Sequence, residues 1–137
     1  SGAMGYGFPA GLTAKLLYPQ CDVVTVAGDG DFLMSAHELA TAARYGINLI
    51  TLVVDNGQYG TIAMHQARDF PGRRNMVDMT NPDFAAMAMS YGAFGANVTE
   101  TAAFPQAFAD ARASGKPSVI ALRTDPKEIA PGVRLPG

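Results

Sequence analysis

Residues 22–60 are DVVTVAGDGDFLMSAHELATAARYGINLITLVVDNGQYG, and this stretch decides the fold. Two apolar runs within it, 22–27 and 48–54, are rich in Val, Ile or Leu and do not alternate apolar with polar residues. Such runs are typical of strands covered on both faces, as in parallel sheets. Between them, 35–45 is predicted to be a helix that ends at Gly46. A strand, a helix and a strand in this order predict a right-handed βαβ unit.

The rest of the chain continues the alternation. The predicted elements are helices at 9–17, 82–91 and 104–111 and strands at 94–98 and 117–123. Asn81 is predicted to cap the second of these helices, and Pro82 to occupy its first position. The segment 66–79 is predicted to be a long loop, and 126–137 an extended tail. Together these elements predict an α/β fold with three layers and a doubly wound, mostly parallel sheet.

Composition narrows the class of protein. A length of 137 residues favours a single domain, 1–137, and only 16% of the residues are charged. Because a small domain has much surface to cover, so few charges predict contact with another domain or subunit. A net charge of −2 without a basic run argues against nucleic acid, and no apolar run is long enough for a membrane span. The single Cys21 and the lack of a signal-peptide pattern favour a reduced, cytoplasmic setting.

The first predicted strand leads directly into Gly28-Asp29-Gly30. A hairpin would need another alternating strand, but a helical segment follows. Glycines let a backbone approach an anion, and a helix start supplies free N–H groups, so this turn suits a phosphate. A carboxylate in such a turn repels phosphate unless a cation lies between them. Asp29 therefore predicts a metal ion, for which Mg²⁺ is the first choice.

The second predicted strand leads into Asp55-Asn56-Gly57-Gln58-Tyr59-Gly60, which alone would be an ordinary turn. Both loops follow buried strands at their carboxyl ends, where open parallel sheets bind ligands. If the strands are neighbours, Asp29 and Asn56 converge. The predicted metal ligands are Asp29, the Asn56 side chain and a loop carbonyl, which we assign to Gln58.

The two loops and their spacing resemble the thiamine diphosphate signature of acetolactate synthase-like and benzoylformate decarboxylase-like enzymes. That signature is Gly-Asp-Gly, a gap in the mid-twenties and an Asn pair. Asp55 stands where the family has the first Asn of the pair. Asn56 matches the second Asn, which ligates the metal in the family. The resemblance implies a thiamine diphosphate-binding fold with Mg²⁺. It assigns cofactor contacts to Gly28, Asp29, Gly30, Asp31, Asn56, Gln58, Tyr59 and Gly60.

The N-terminal segment from Met4 to Ala10, MGYGFPA, also resembles the family. The resemblance implies that Met4 props the cofactor in its bent shape. It also implies that the Gly2 carbonyl accepts a hydrogen bond from the cofactor's 4′-amino group. The alternative is that residues 1–4 are left over from expression.

In the resembled family, a glutamate on a separate pyrimidine-binding domain completes the site. This chain has three glutamates, Glu38, Glu100 and Glu128, and none matches that motif. The resemblance therefore implies half of a shared site, with no catalytic residue in this chain. We expect a domain of a carboligase or 2-oxo acid decarboxylase that acts on a small 2-oxo acid. It should be inactive without its pyrimidine-binding domain and belong to a homo-oligomer.

Two other classes remain as alternatives. One is a non-catalytic α/β binding or assembly module. The other is a nucleotide-binding Rossmann domain, which is disfavoured because G-x-G-x-x-G is missing after the first strand. Four other polar residues, His37, His65, Arg73 and Arg74, are expected to be structural or solvated, although His65 and the arginines could approach a substrate.

Overall fold

The computed structural model describes residues 2–130 and 132–135. Its centre is a sheet of four parallel strands in the order β1-β2-β4-β3. The strands are β1 (Val24–Gly28), β2 (Ile50–Asp55), β3 (Phe94–Val98) and β4 (Ser118–Arg123). β1 and β2 are neighbours, with Gly28 opposite Val54, so their carboxyl ends lie side by side. The predicted α/β class and mostly parallel sheet are confirmed.

Helices cover both faces of this sheet. They are α1 (Gly7–Leu17), α2 (Asp29–Leu33), α3 (Leu39–Tyr45), α4 (Gly60–Asp69), α5 (Phe84–Ser90) and α6 (Phe104–Ala113). Apolar residues of α1, α2, α3 and α5 share one core cluster with Val53 and Val119 of the sheet. α6 packs on the opposite face, against Ile50 and Ile120. No helix in the described part of the chain is long and apolar enough to cross a membrane.

The face of the sheet on which α6 lies is only partly covered. α6 contacts β3 and β4. On β1, Thr25 and Ala27 are buried, whereas Val24 is 42% and Val26 63% exposed. Successive strand residues point to opposite faces, so the exposed pair lies on the α6 side, beyond the reach of that helix.

The predicted helix 35–45 and the predicted loop 66–79 differ from the structure. The segment 35–45 divides into a 3₁₀ turn (Ala36–Glu38) and α3, which ends at Gly46 with φ 62°. The predicted loop 66–79 begins inside α4, because that helix continues to Asp69. Only Ala63 of α4 is buried.

The C-terminal segment, predicted as an extended tail, contains a hairpin. Its strands are β5 (Glu128–Ala130) and β6 (Val133–Arg134), which pair antiparallel. Gly132 between them has φ 76°. Arg134 pairs with Asp125 at 2.8 Å and also with Glu128, which fixes the hairpin to the chain before it.

The prediction that Asn81 caps α5 is wrong. The cap is Asp83, whose Oδ1 accepts a hydrogen bond from the Ala86 N–H at 3.0 Å. Asn97 donates a second bond to the same oxygen at 2.9 Å. Asn81 lies two residues before the cap, and its side chain turns instead toward two carboxylates at the ends of β1 and β2.

Candidate functional site

The site lies where the loops after β1 and β2 meet. The Gly57 N–H donates to Asp29 Oδ2 at 2.8 Å, which joins the two loops directly. The predicted convergence of these loops thus follows from the register of their strands.

A cavity of about 240 Å³ opens at this junction. Nine of the ten residues predicted to contact a cofactor line it: Met4, Gly28, Asp29, Gly30, Asp31, Asn56, Gln58, Tyr59 and Gly60. The tenth, Gly2, is exposed and does not line the cavity. Four further residues complete the wall: Val54, Thr61, Ile62 and Ile129.

Asp29 is a buried carboxylate that lines this cavity. It is 3% exposed, and among the described residues it forms no ion pair with a Lys, Arg or His side chain. Three N–H groups satisfy it instead. Gly30 donates to Oδ1 at 2.8 Å, while Gly57 and Asn81 donate to Oδ2 at 2.8 and 2.7 Å. Since a carboxylate offers about four lone-pair positions, the free one is on Oδ1.

The loop after β2 offers two more oxygen atoms. Asn56 Oδ1 accepts a hydrogen bond from the Gln58 N–H at 3.1 Å and retains a second lone pair. The Gln58 side chain is buried and engaged, since Nε2 donates to the Pro126 carbonyl and Oε1 accepts from Arg74 at 2.7 Å. Because these bonds hold the side chain, we assign ligation by Gln58 to its backbone carbonyl.

These donors have the chemistry of a magnesium site. A carboxylate, a carboxamide oxygen and a backbone carbonyl are hard oxygen ligands, which Mg²⁺ prefers, and the ion keeps open positions for phosphate and water. No three His, Cys, Asp or Glu side chains gather around a common point among the described residues, so the site does not resemble a zinc centre. The residues present fit a magnesium ion shared with a ligand.

The two glycines of the first loop have different surroundings. A methyl group added at Gly28 would meet nothing within 4 Å. One added at Gly30 would lie 2.7 Å from the Tyr59 ring and 3.3 Å from the Met4 methyl group. Gly28 therefore leaves room for a ligand, whereas Gly30 lets Tyr59 and Met4 pack against the backbone.

The start of α4 faces the same cavity. Thr61 and Ile62 line it, and the residue before the helix, Tyr59, provides no side-chain cap. The first N–H groups of a helix have no partner within the helix and attract negative charge. This end of the cavity is thus suited to an anion such as diphosphate.

The N-terminal segment is held to the site by Asp31. Its Oδ1 accepts a hydrogen bond from the Gly5 N–H at 2.5 Å. This contact places Met4 at the cavity, although its side chain is 41% exposed.

Other polar residues lie elsewhere. His65 is exposed on α4 and contacts Arg68 at 3.0 Å, and the His37 side chain is 73% exposed. Arg73 stacks near Phe70, with 5.9 Å between its guanidinium carbon and the ring centre. None of the three glutamates lines the cavity.

Sequence reasoning missed three contributors to the site. Arg74 fixes Gln58, Asn81 binds Asp29, and Ile129 brings the hairpin to the cavity wall. Each is distant in sequence from its partner, and none belongs to a local pattern that could have indicated the contact.

Comparisons with known proteins identify the family of this chain. Residues 1–122 match the family model described as the C-terminal TPP binding domain of thiamine pyrophosphate enzymes. The chain belongs to this family. Among curated relatives, the probable acetolactate synthase large subunit of Methanocaldococcus jannaschii is 33% identical over 98% of this chain and 24% of its own length. The acetolactate synthase large subunit of Haemophilus influenzae is 40% identical over 72% of this chain and 17% of its own.

A solved structure has the same fold as this TPP-binding domain. It is the thiamine diphosphate-dependent 4-hydroxybenzoylformate decarboxylase of Rhodococcus jostii RHA1, with a TM-score of 0.83 and 31% identity. The alignment covers 89% of this chain and 23% of that one. The TPP-binding domain described here therefore spans about a quarter of the length of such relatives.

Proposed function

We propose that this domain binds the diphosphate of thiamine diphosphate through Mg²⁺ and forms half of the active site of a 2-oxo acid decarboxylase or carboligase. The observation that carries the proposal is the environment of the Asp29 carboxylate. It is a buried carboxylate without an ion pair among the described residues, in the wall of a cavity that the family's motif residues line. Buried charges are normally paired or bound to a metal, so this site calls for a cation.

Each part of the cavity has a role in this proposal. Asp29 Oδ1, Asn56 Oδ1 and the Gln58 carbonyl hold the ion. The backbone at Gly28 and the first N–H groups of α4 receive the diphosphate. The remaining predicted contacts shape the site: Gly30, Asp31, Tyr59 and Gly60 around the diphosphate, and Met4 and Gly2 toward the pyrimidine ring.

When bound, thiamine diphosphate supplies the nucleophilic carbon that adds to a 2-oxo acid. This chain's residues bind and orient the cofactor. Of the carboxylates that line the cavity, Asp29 accepts hydrogen bonds from three N–H groups, and Asp31 Oδ1 accepts one from Gly5. The family resemblance assigns the proton transfer to a glutamate of a pyrimidine-binding domain, in a homo-oligomer that we place in the cytoplasm.

The names of the relatives support the substrate class. One relative is a decarboxylase of 4-hydroxybenzoylformate, which is a 2-oxo acid, and others are acetolactate synthases. We propose a small 2-oxo acid as the substrate here.

The test is calorimetric titration with thiamine diphosphate and Mg²⁺, carried out on the chain alone and together with a matching pyrimidine-binding domain. We expect weak binding and no turnover of pyruvate or benzoylformate by the chain alone, and restoration of both by the second domain. In Asp29→Ala and in the milder Asp29→Asn, tight binding of thiamine diphosphate should be lost, and adding Mg²⁺ should no longer strengthen the binding that remains. The surface variant Asp22→Ala, which loses only a pair with Arg112, should bind like the unaltered protein.

Unchanged Mg²⁺-dependent binding in both Asp29 variants would contradict the metal assignment. Turnover by the chain alone would contradict the half-site proposal. Cofactor binding without turnover of any 2-oxo acid in the assembled protein would favour a non-catalytic module.

A further inference from the structure

The side chain of Asn81 lies between two carboxylates. Its Nδ2 donates to Asp29 Oδ2 at 2.7 Å and to Asp55 Oδ1 at 2.8 Å, which uses both of its hydrogens. The opposite orientation would place the amide oxygen against two negative charges, so electrostatics fixes the amide as it stands. Asn81 Oδ1 is buried and has no hydrogen-bond partner among the described residues. An unpaired buried oxygen is destabilising, which argues that the residue serves more than the fold.

The second carboxylate, Asp55, is the departure from the family's Asn pair. Its side chain is only 13% exposed, and its Oδ2 accepts a hydrogen bond from Arg123 Nη1 at 3.0 Å. Asp55 and Arg123 are also opposite each other in the register of β2 and β4. Arg123 thus offsets the extra charge at one oxygen, while the Asn81 amide binds the other.

We infer that Asn81 is a positioning residue for the metal ion, acting through Asp29, and that the Asp55–Arg123 pair anchors it. The inference rests on the proposed function, since it needs Asp29 to be a metal ligand. Asn81 and Gly57 together occupy both lone pairs of Asp29 Oδ2. Only Oδ1 is then left to ligate, so the carboxylate presents one defined oxygen to the ion. Without the amide, Oδ2 is released and the two carboxylates repel each other.

The expected effect is on metal affinity. Loss of a residue that orients a metal ligand typically weakens binding by about 10- to 100-fold, and we expect that range for Asn81→Ala. The loss should be smaller in the double variant Asp55→Asn/Asn81→Ala, because the second negative charge is gone. The matched control is Asn97→Ala. Asn97 also donates to a carboxylate, that of Asp83, but does not touch Asp29.

The experiment measures the affinity for Mn²⁺, an ion that takes the same oxygen ligands as Mg²⁺. The protein is assembled with a matching pyrimidine-binding domain and thiamine diphosphate, and the electron paramagnetic resonance signal of free Mn²⁺ gives the dissociation constant. We expect it to rise in Asn81→Ala, to rise less in the double variant and to stay unchanged in Asn97→Ala.

A folded Asn81→Ala variant that binds Mn²⁺ like the unaltered protein, while Asp29→Ala does not, overturns this inference and leaves the proposed function standing. If Asp29→Ala also binds normally, the proposed function fails and the inference fails with it.

A measurement without substitution covers the case in which Asn81→Ala does not fold. In nitrogen-15 nuclear magnetic resonance spectra of the unaltered protein, the side-chain NH₂ signals of Asn81 should shift when Mg²⁺ is added in the presence of cofactor. Those of Asn97 should not. Signals of Asn81 that stay in place on ion binding contradict the inference.

Discussion

The Gly57 N–H lies 2.8 Å from Asp29 Oδ2 and donates a hydrogen bond to it, across 28 residues of sequence. This bond sets the loop after β2 against the loop after β1. Gly57 makes it with φ 67°, in the left-handed region that residues with a Cβ rarely adopt. The orientation of the buried carboxylate therefore depends on a backbone shape that requires glycine.

Gly57→Ala should reduce both stability and metal affinity. A Cβ there would meet only the Met79 carbonyl, at 4.0 Å, so the cost is backbone strain of about 1–2 kcal/mol rather than a clash. Urea unfolding measures the first effect, and Mn²⁺ titration of the assembled protein the second. Gly92→Ala is the control, because Gly92 has φ 78° but lies at the end of α5. If both variants lose metal affinity equally, the effect is general destabilisation and not the contact with Asp29.

Gly28→Ala should weaken cofactor binding and leave stability nearly unchanged. Gly28 has φ −68°, and an added methyl group would meet nothing within 4 Å. Stability should change by no more than about 0.5 kcal/mol, as for substitutions without a specific mechanism. The methyl group would enter the space proposed for diphosphate, so cofactor affinity should fall by about tenfold, which corresponds to about 1.4 kcal/mol. Thermal melting and calorimetry check the two effects. Cofactor binding of normal strength would mean that the diphosphate does not approach Gly28.

The convergence of Asp29 and Asn56 could be predicted from the sequence for a physical reason. Asp29 and Asn56 follow two buried apolar strands, and parallel neighbours bring their carboxyl ends together. Local order along the chain thus determines a contact in space.

Asn81 could not be placed in the same way. It is 52 residues from Asp29, and two nearby residues, Asn81 and Asp83, are both suitable helix caps. Local preference does not distinguish them. The choice is made by the two carboxylates that take up the Asn81 amide, a tertiary contact that no local pattern encodes. α4 was missed in the prediction, which assigned no helix to 60–69 and gave the last part of this segment to the loop 66–79.

The cap of α5 should make stability depend on pH. The N–H of Ala86, followed by the Asn97 side chain, lowers the pKa of Asp83 below its ordinary value of 3.8. A lowered folded-state pKa stabilises the fold above the unfolded-state value, and this contribution disappears as the pH falls through the lowered one. Asp83→Ala should therefore lower the melting temperature more at neutral pH than at a pH below the lowered value. Equal losses at both pH values would show that the charge of Asp83 does not contribute.

The uncovered part of the sheet should make this chain associate. Val24 and Val26 of β1 are 42% and 63% exposed, and β1 is an edge strand whose backbone is open to pairing. Apolar patches of this kind are usually covered by a partner, so we expect dimers or larger species at micromolar concentration. Val26→Lys should raise the dissociation constant about tenfold or more, because burying a Val side chain contributes about 1.5–3 kcal/mol. Met76→Lys is the control, since it adds the same charge at a side chain 89% exposed in the loop after α4. Sedimentation velocity measures each species. A monomer throughout this concentration range, or equal dissociation by both lysine variants, would mean that β1 is not the associating surface.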